Sequence, residues 1–133
     1  MTNEVRVRIQ SSLDIVIARQ EGRTMAATLG FSNTNLTIIA TAISEVARNI
    51  VEYAKEGEIT IATVGNGVAK GLKIVARDQG PGIVDIDTAM RDGYSTSKSL
   101  GMGLPGAKRL MDQFEISSAI GEGTTITMTK WIG

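Results

Sequence analysis

Residues 36–54 read L-T-I-I-A-T-A-I-S-E-V-A-R-N-I-V-E-Y-A, and the fold follows from how this stretch is read. Leu36, Ile39, Ala40, Ile43, Ala47, Ile50, Val51 and Ala54 recur at helical spacing and cluster on one side. Glu45, Arg48, Asn49 and Glu52 fall on the opposite side, within about 100° of arc at 3.6 residues per turn, and Thr41 joins them. Ser32 to Asn35 offer N-cap residues, and Gly57 is expected to close the helix. A helix with one apolar side must lie on another layer, and the flanking sequence supplies a sheet.

On the N-terminal side, Val5–Ile9 alternates apolar and charged residues, the period of a half-exposed strand. Ser11 with Asp14 fits a capping box for a second helix, Ser12 to Leu29, with Gly30 as C-cap. On the other side, Glu58–Val64 and Leu72–Asp78 are rich in Ile, Val and Thr, and Asn66-Gly67 between them signals a hairpin. Gly80 to Gly106 is long, glycine-dotted and hydroxyl-rich, with a weak helical pattern over Ile86–Arg91. Loops of that length in a compact domain are usually functional. Gly103–Met111 is expected to be helical, with Leu104, Ala107, Leu110 and Met111 inward. Phe114–Ala119 and Thr124–Trp131 give two last strands, joined through Gly121-Glu122-Gly123. The order β-α-α-β-β-loop-α-β-β predicts an α+β two-layer sandwich, its sheet covered on one face by helices. With no repeat and no linker, residues 1–133 are expected to form a single domain.

Composition narrows the chemistry. Hydrophobic residues make up 42% of the chain, enough for a core. Lys+Arg and Asp+Glu are both 14, without the basic excess that nucleic acid demands. No apolar run reaches the roughly 20 residues of a membrane span, and the N-terminus has no apolar signal core. The expectation is a cytoplasmic protein that contacts neither nucleic acid nor membrane. Cysteine and histidine are both absent. That excludes disulfides, thiolate or imidazole metal sites, a Ser-His-Asp triad and a phosphohistidine on this chain.

Three short motifs carry chemistry, and each has a plain alternative. Gly101–Gly106 matches G-x-G-x-x-G, but no βαβ unit surrounds it, as a dinucleotide fold needs. It is instead a glycine-rich loop leading into a helix N-terminus, where free N–H groups favour phosphate. Asp78–Gly82, D-Q-G-P-G, suits an ordinary turn. It equally suits a carboxylate at a strand end that takes an exocyclic amine, with Gly82 letting a flat base approach. Glu45 and Asn49 lie one helical turn apart. They are either a solvated face or an acid beside a hard-cation ligand, since an amide oxygen suits Mg²⁺ bound with substrate phosphates.

The succession E-x-x-R-N (45–49), D-x-G-x-G (78–82), G-x-G-x-x-G (101–106) and G-x-G-T (121–124) resembles the GHKL ATPase/kinase superfamily. The resemblance implies the Bergerat fold, a mixed, mostly antiparallel sheet under helices with ATP between the layers. It implies that Asn49 ligates Mg²⁺ across the phosphates and that Asp78 binds the adenine amino group. Gly80 and Gly82 would line the base. Gly101, Gly103 and Gly106 would hold phosphates in a mobile lid. Thr124 would support the adenine end, and Arg48 would reach a phosphate.

Within the superfamily, gyrase-like and MutL-like members need a following domain, and histidine kinases need a helix pair carrying histidine. The stretches E-V-A-R-N-I, D-Q-G-P-G-I and D-G-Y-S-T-S-K-S-L-G-M-G-L-P-G-A-K-R-L-M-D resemble instead the serine/threonine switch kinases of bacterial partner-switching systems. That branch implies γ-phosphoryl transfer from MgATP to a Ser or Thr of STAS-domain proteins in a stressosome-like assembly, with Glu45 as general base. It also implies release and activation of a 2C-class serine phosphatase. An anti-sigma kinase and a nucleotide-gated adaptor with little turnover remain as alternatives.

Overall fold

The computed structural model describes residues 3–65, 67–80, 103–119 and 121–132. Strand β1 (Glu4–Ile9) buries Val7 and Ile9 and leaves Arg6 and Arg8 outside, as its alternation predicts. Helix α1 (Ser12–Leu29) opens with the Ser11 N–H donating to the Asp14 carboxylate at 3.2 Å. It stops at Gly30, whose φ of 102° lets its N–H return to the Ala26 carbonyl. Helix α2 (Asn33–Asn49) is capped by the Ser32 hydroxyl, which accepts from the Asn35 N–H at 3.2 Å.

The end of α2 departs from expectation. After Asn49 the chain widens into one π-helical turn, Ile50–Ala54, and Lys55 at φ 71° stops it. Gly57 therefore does not close the helix; it is the first residue of β2 (Gly57–Gly65). A Cβ there would lie 2.4 Å from the Arg77 carbonyl and 2.9 Å from Ile50 Cγ2, so glycine serves a close approach to the neighbouring strand. β2 pairs with β3 (Lys70–Asp78) as the expected hairpin, with Gly65 opposite Lys70. Helix α3 (Gly103–Leu110) then leads to β4 (Gln113–Ala119) and β5 (Gly123–Trp131). The weak helix expected over 86–91 lies outside the described residues.

The five strands form one sheet in the order β1-β2-β3-β5-β4, and all four described pairings are antiparallel. One face carries Ile9, Ile59, Ile61, Leu72, Ile74, Ile126 and Met128, all buried under the helices. Each such side chain contributes about 1.5–3 kcal/mol relative to exposure. The helices meet them with Ala18 and Ala26 of α1, Ile39, Ile43 and Val46 of α2, and Leu104 and Ala107 of α3. Gly22 lets α1 come close to α2: a Cβ there would lie 2.1 Å from Ile43 Cδ1. The other face carries Arg6, Arg8, Lys73, Arg77, Thr125 and Thr127, and none of the described helices packs over it. No described helix is long and apolar enough to cross a membrane.

Register places the site. Ile9, Gly57, Asp78, Thr124 and Ser118 stand opposite one another, strand by strand, in a single row across the sheet. α2 lies beside both α1 and α3, and its C-terminal turn comes down onto β3 near that row.

Candidate active site

Asp78 is the last residue of β3 and is buried. Its Oδ1 accepts the Gly80 N–H at 2.9 Å and the Thr124 N–H at 3.2 Å, so the carboxylate holds the chain on both sides. Oδ2 makes no hydrogen bond among the described residues. Gly80 sits against the π turn: a Cβ would lie 2.6 Å from Ala54 Cβ. Gly123, at φ 88°, leaves no room for a side chain beside the Asp78 carbonyl, where a Cβ would come within 2.1 Å. Thr124, also buried, shares a 2.9 Å hydroxyl contact with Ser118, whose hydroxyl also donates to the Gly123 carbonyl at 3.1 Å. Asp78, Gly80 and Thr124, three of the residues named from the motifs, thus meet in one hydrogen-bonded corner.

A second group sits on α2. Glu45 is buried, only 4% exposed, and its Oε1 is paired with the Arg48 guanidinium. Its Oε2 is buried without a hydrogen-bond partner among the described residues. A solvated polar face would not bury a carboxylate, so that alternative fails for Glu45. Arg48 is committed to Glu45, the role of a charge partner on the same helix. Asn49 is half-buried at the last position of α2, and its amide makes no hydrogen bond among the described residues. The π turn joins this group to the Asp78 corner, since Ile50 and Asp78 both close on Gly57 and Ala54 closes on Gly80. Extra turns of this kind are frequent at functional sites.

The glycine run is described in part. Gly103 opens α3 at φ 63°, and Gly106 lies buried within that helix. Lys130 of β5 holds the other end of α3, its ammonium donating to the Leu110 carbonyl at 3.2 Å and pairing with Asp112 at 3.3 Å. Gly82 and Gly101 lie outside the described residues. Three residues went unmarked by sequence reasoning: Ser118, Ala54 and Gly123 as a contact of Asp78. Gly123 had a signal in the G-x-G-T motif. Ser118 and Ala54 had none, because each matters only through its cross-strand or cross-turn neighbour.

Residues 11–130 match the model of the histidine kinase-like ATPase domain. The chain belongs to that family. Over 132 residues it is 54% identical to the serine/threonine-protein kinase RsbT of Bacillus subtilis strain 168, covering 99% of each chain. It is 33% identical over 120 residues to an anti-sigma F factor of Caldanaerobacter subterraneus subsp. tengcongensis, covering 87% of this chain and 84% of that one. Its fold also matches a crystal structure of the RsbU and RsbW domains of a Mycobacterium tuberculosis protein, with a TM-score of 0.67 at 20% identity. That match covers all of this chain and 33% of the other, so the chain spans about a third of the crystallised chain. The expected GHKL-type α+β fold is therefore the observed one. The chain is an ATP-using serine/threonine-protein kinase, of a family that works by partner switching.

Proposed function

We propose that residues 1–133 act as one unit that transfers the γ-phosphoryl group of ATP to a Ser or Thr of a STAS-domain protein in a stressosome-like assembly. The observation that carries this reading is the buried Glu45 carboxylate, with one oxygen paired to Arg48 and the other left without a partner. A buried acceptor in that state costs about 1–3 kcal/mol, and an incoming hydroxyl that donates to it removes the cost. Glu45 Oε2 takes the proton of the substrate hydroxyl, the oxygen bonds to the γ-phosphorus, and the bond to ADP breaks.

Asn49, one turn on, offers a hard carbonyl oxygen that no described partner occupies, which suits Mg²⁺ shared with the phosphates. Asn49 would hold such an ion where it would neutralise phosphate charge, and positioning and neutralisation dominate phosphoryl transfer. Asp78 accepts the adenine amino group, with Thr124 and Gly80 beside it and Gly82 lining the base. The Gly101, Gly103 and Gly106 amides hold phosphates, and Arg48 stays close to them through Glu45. The setting is the cytoplasm, where ATP is supplied. After phosphorylation the kinase leaves its scaffold and activates a 2C-class serine phosphatase.

Incubation with a STAS-domain protein and γ-labelled ATP tests this. Label on a partner Ser or Thr is expected, together with tighter phosphatase binding after transfer. Phosphatase activation without any transfer would reject the kinase step on STAS proteins. The similarity to anti-sigma F factors favours a second reading, in which the chain binds a sigma factor directly. Co-purification with a sigma factor, and no retention by a STAS protein, would establish that reading in place of the first.

A further inference from the structure

We infer that Ser118 sets which nucleobase this kinase accepts, by fixing the direction of the Thr124 hydroxyl. The inference rests on the base-binding role proposed above for Asp78 and Thr124. A serine hydroxyl carries one proton. The Ser118 hydroxyl donates that proton to the Gly123 carbonyl at 3.1 Å, which can only accept. Gly123 is locked at φ 88° against the Asp78 carbonyl, so this acceptor does not move. In the 2.9 Å contact between Ser118 Oγ and Thr124 Oγ1, the distance alone leaves the donor open. With the Ser118 proton given to the carbonyl, Thr124 donates and Ser118 accepts.

Thr124 Oγ1 has then spent its own proton and can only accept from anything else. Beside it, Asp78 is a carboxylate whose Oδ1 already takes the Gly80 and Thr124 N–H groups. Asp78 and Thr124 stand directly opposite in the sheet, and Ser118 stands opposite Thr124 on the far side. The corner offers acceptors from both side chains and no side-chain proton. A 6-aminopurine brings the matching donor. At position 6 a 6-oxopurine brings another acceptor, which leaves the polar groups facing that position unpaired, the arrangement that discriminates most strongly between close analogues. Ser118 is a positioning residue in this scheme, since it acts through Thr124.

The test is competition against a fluorescent ATP analogue, by ATP and by inosine triphosphate, whose bases differ at position 6 and in the proton that hypoxanthine carries at N1. In the wild type ATP is expected to compete far better. Ser118→Ala frees the Thr124 proton to donate to the keto oxygen, and the preference for ATP is expected to fall about five- to tenfold. Ser118→Thr keeps the hydroxyl and is expected to keep the preference. A preference that Ser118→Ala leaves within about twofold of wild type overturns the inference, even if both nucleotides bind more weakly. So does a Ser118→Thr variant that behaves like Ser118→Ala. Asp78→Asn separates the two levels of argument, because it should itself shift the preference toward the keto base. A shift in Asp78→Asn without one in Ser118→Ala overturns only the role of Ser118. No shift in either removes the base-binding reading along with it.

Discussion

At Glu45 and Asn49, two neighbours on one helix make different demands on a substitution. On the proposed role of Asn49 as a Mg²⁺ ligand, Asn49→Ala is expected to abolish transfer to a partner protein, because the phosphate charge would then go unneutralised. Glu45→Ala is expected to leave a measurable trace, since base strength matters less than positioning. Equal and small losses in a single-turnover phosphorylation assay would refute this division of labour. Arg48 contributes to stability through Glu45. Arg48→Ala leaves a buried carboxylate without its partner and should cost about 1–3 kcal/mol in urea unfolding. Adding Glu45→Gln should recover part of that loss; a double variant no more stable than Arg48→Ala would mean the pair is unimportant. The polar stripe carrying these residues was legible in the sequence, but its burial was not. Periodicity reports one apolar side, and α2 is flanked by α1 and α3 as well as the sheet.

Among the elements, the strands were legible almost to the residue, because alternating patterns and glycine-rich turns bracket them. Gly57 was misread because a glycine that ends a helix and a glycine that admits a neighbouring strand look alike in a sequence. The π turn Ile50–Ala54 was hidden for a similar reason, since one widened turn barely alters helical spacing. Its exit, Lys55 at φ 71°, is a position where a side chain is strained. Lys55→Gly is therefore expected to raise stability by about 1 kcal/mol, after glycine's extra freedom in the unfolded chain is subtracted. A lower urea midpoint would contradict this. The β4–β5 turn has no such slack. Gly123→Ala adds a Cβ 2.1 Å from the Asp78 carbonyl at φ 88°, and a loss of about 2–4 kcal/mol with weaker ATP binding is expected. Unfolding curves and nucleotide titration on the same sample check both.

For the whole molecule, the candidate site draws on residues far apart in the chain and brought together by sheet register. Asp78 and Thr124 are opposite one another though a long segment separates them, and α2 reaches them from a different layer. Ligand binding is thereby tied to global stability. MgATP at about a hundred times its dissociation constant adds about 2.7 kcal/mol, a rise in Tm on the order of 10 °C for a domain of this size. Asp78→Asn should lose most of that rise, and a variant that keeps the full rise would place the nucleotide elsewhere. The motifs named Asp78, Gly80 and Thr124, which the sheet register and the turn after β3 bring together. What motifs cannot carry is the proton direction within the Ser118–Thr124 pair, which exists only once β4 and β5 are in register.

The same register has a practical use. Asp78 lies at one end of β3, and the hairpin beyond Lys70 lies at the other, roughly 26 Å away at about 3.3 Å per residue. Val68 in that hairpin is 96% exposed, and the natural chain contains no cysteine. Val68→Cys therefore creates a single thiol for a fluorophore or a surface linkage, remote from the nucleotide corner. A kinase tethered or labelled there keeps the Asp78–Thr124 corner clear of the label, so its exchange between partner proteins can be timed on one molecule.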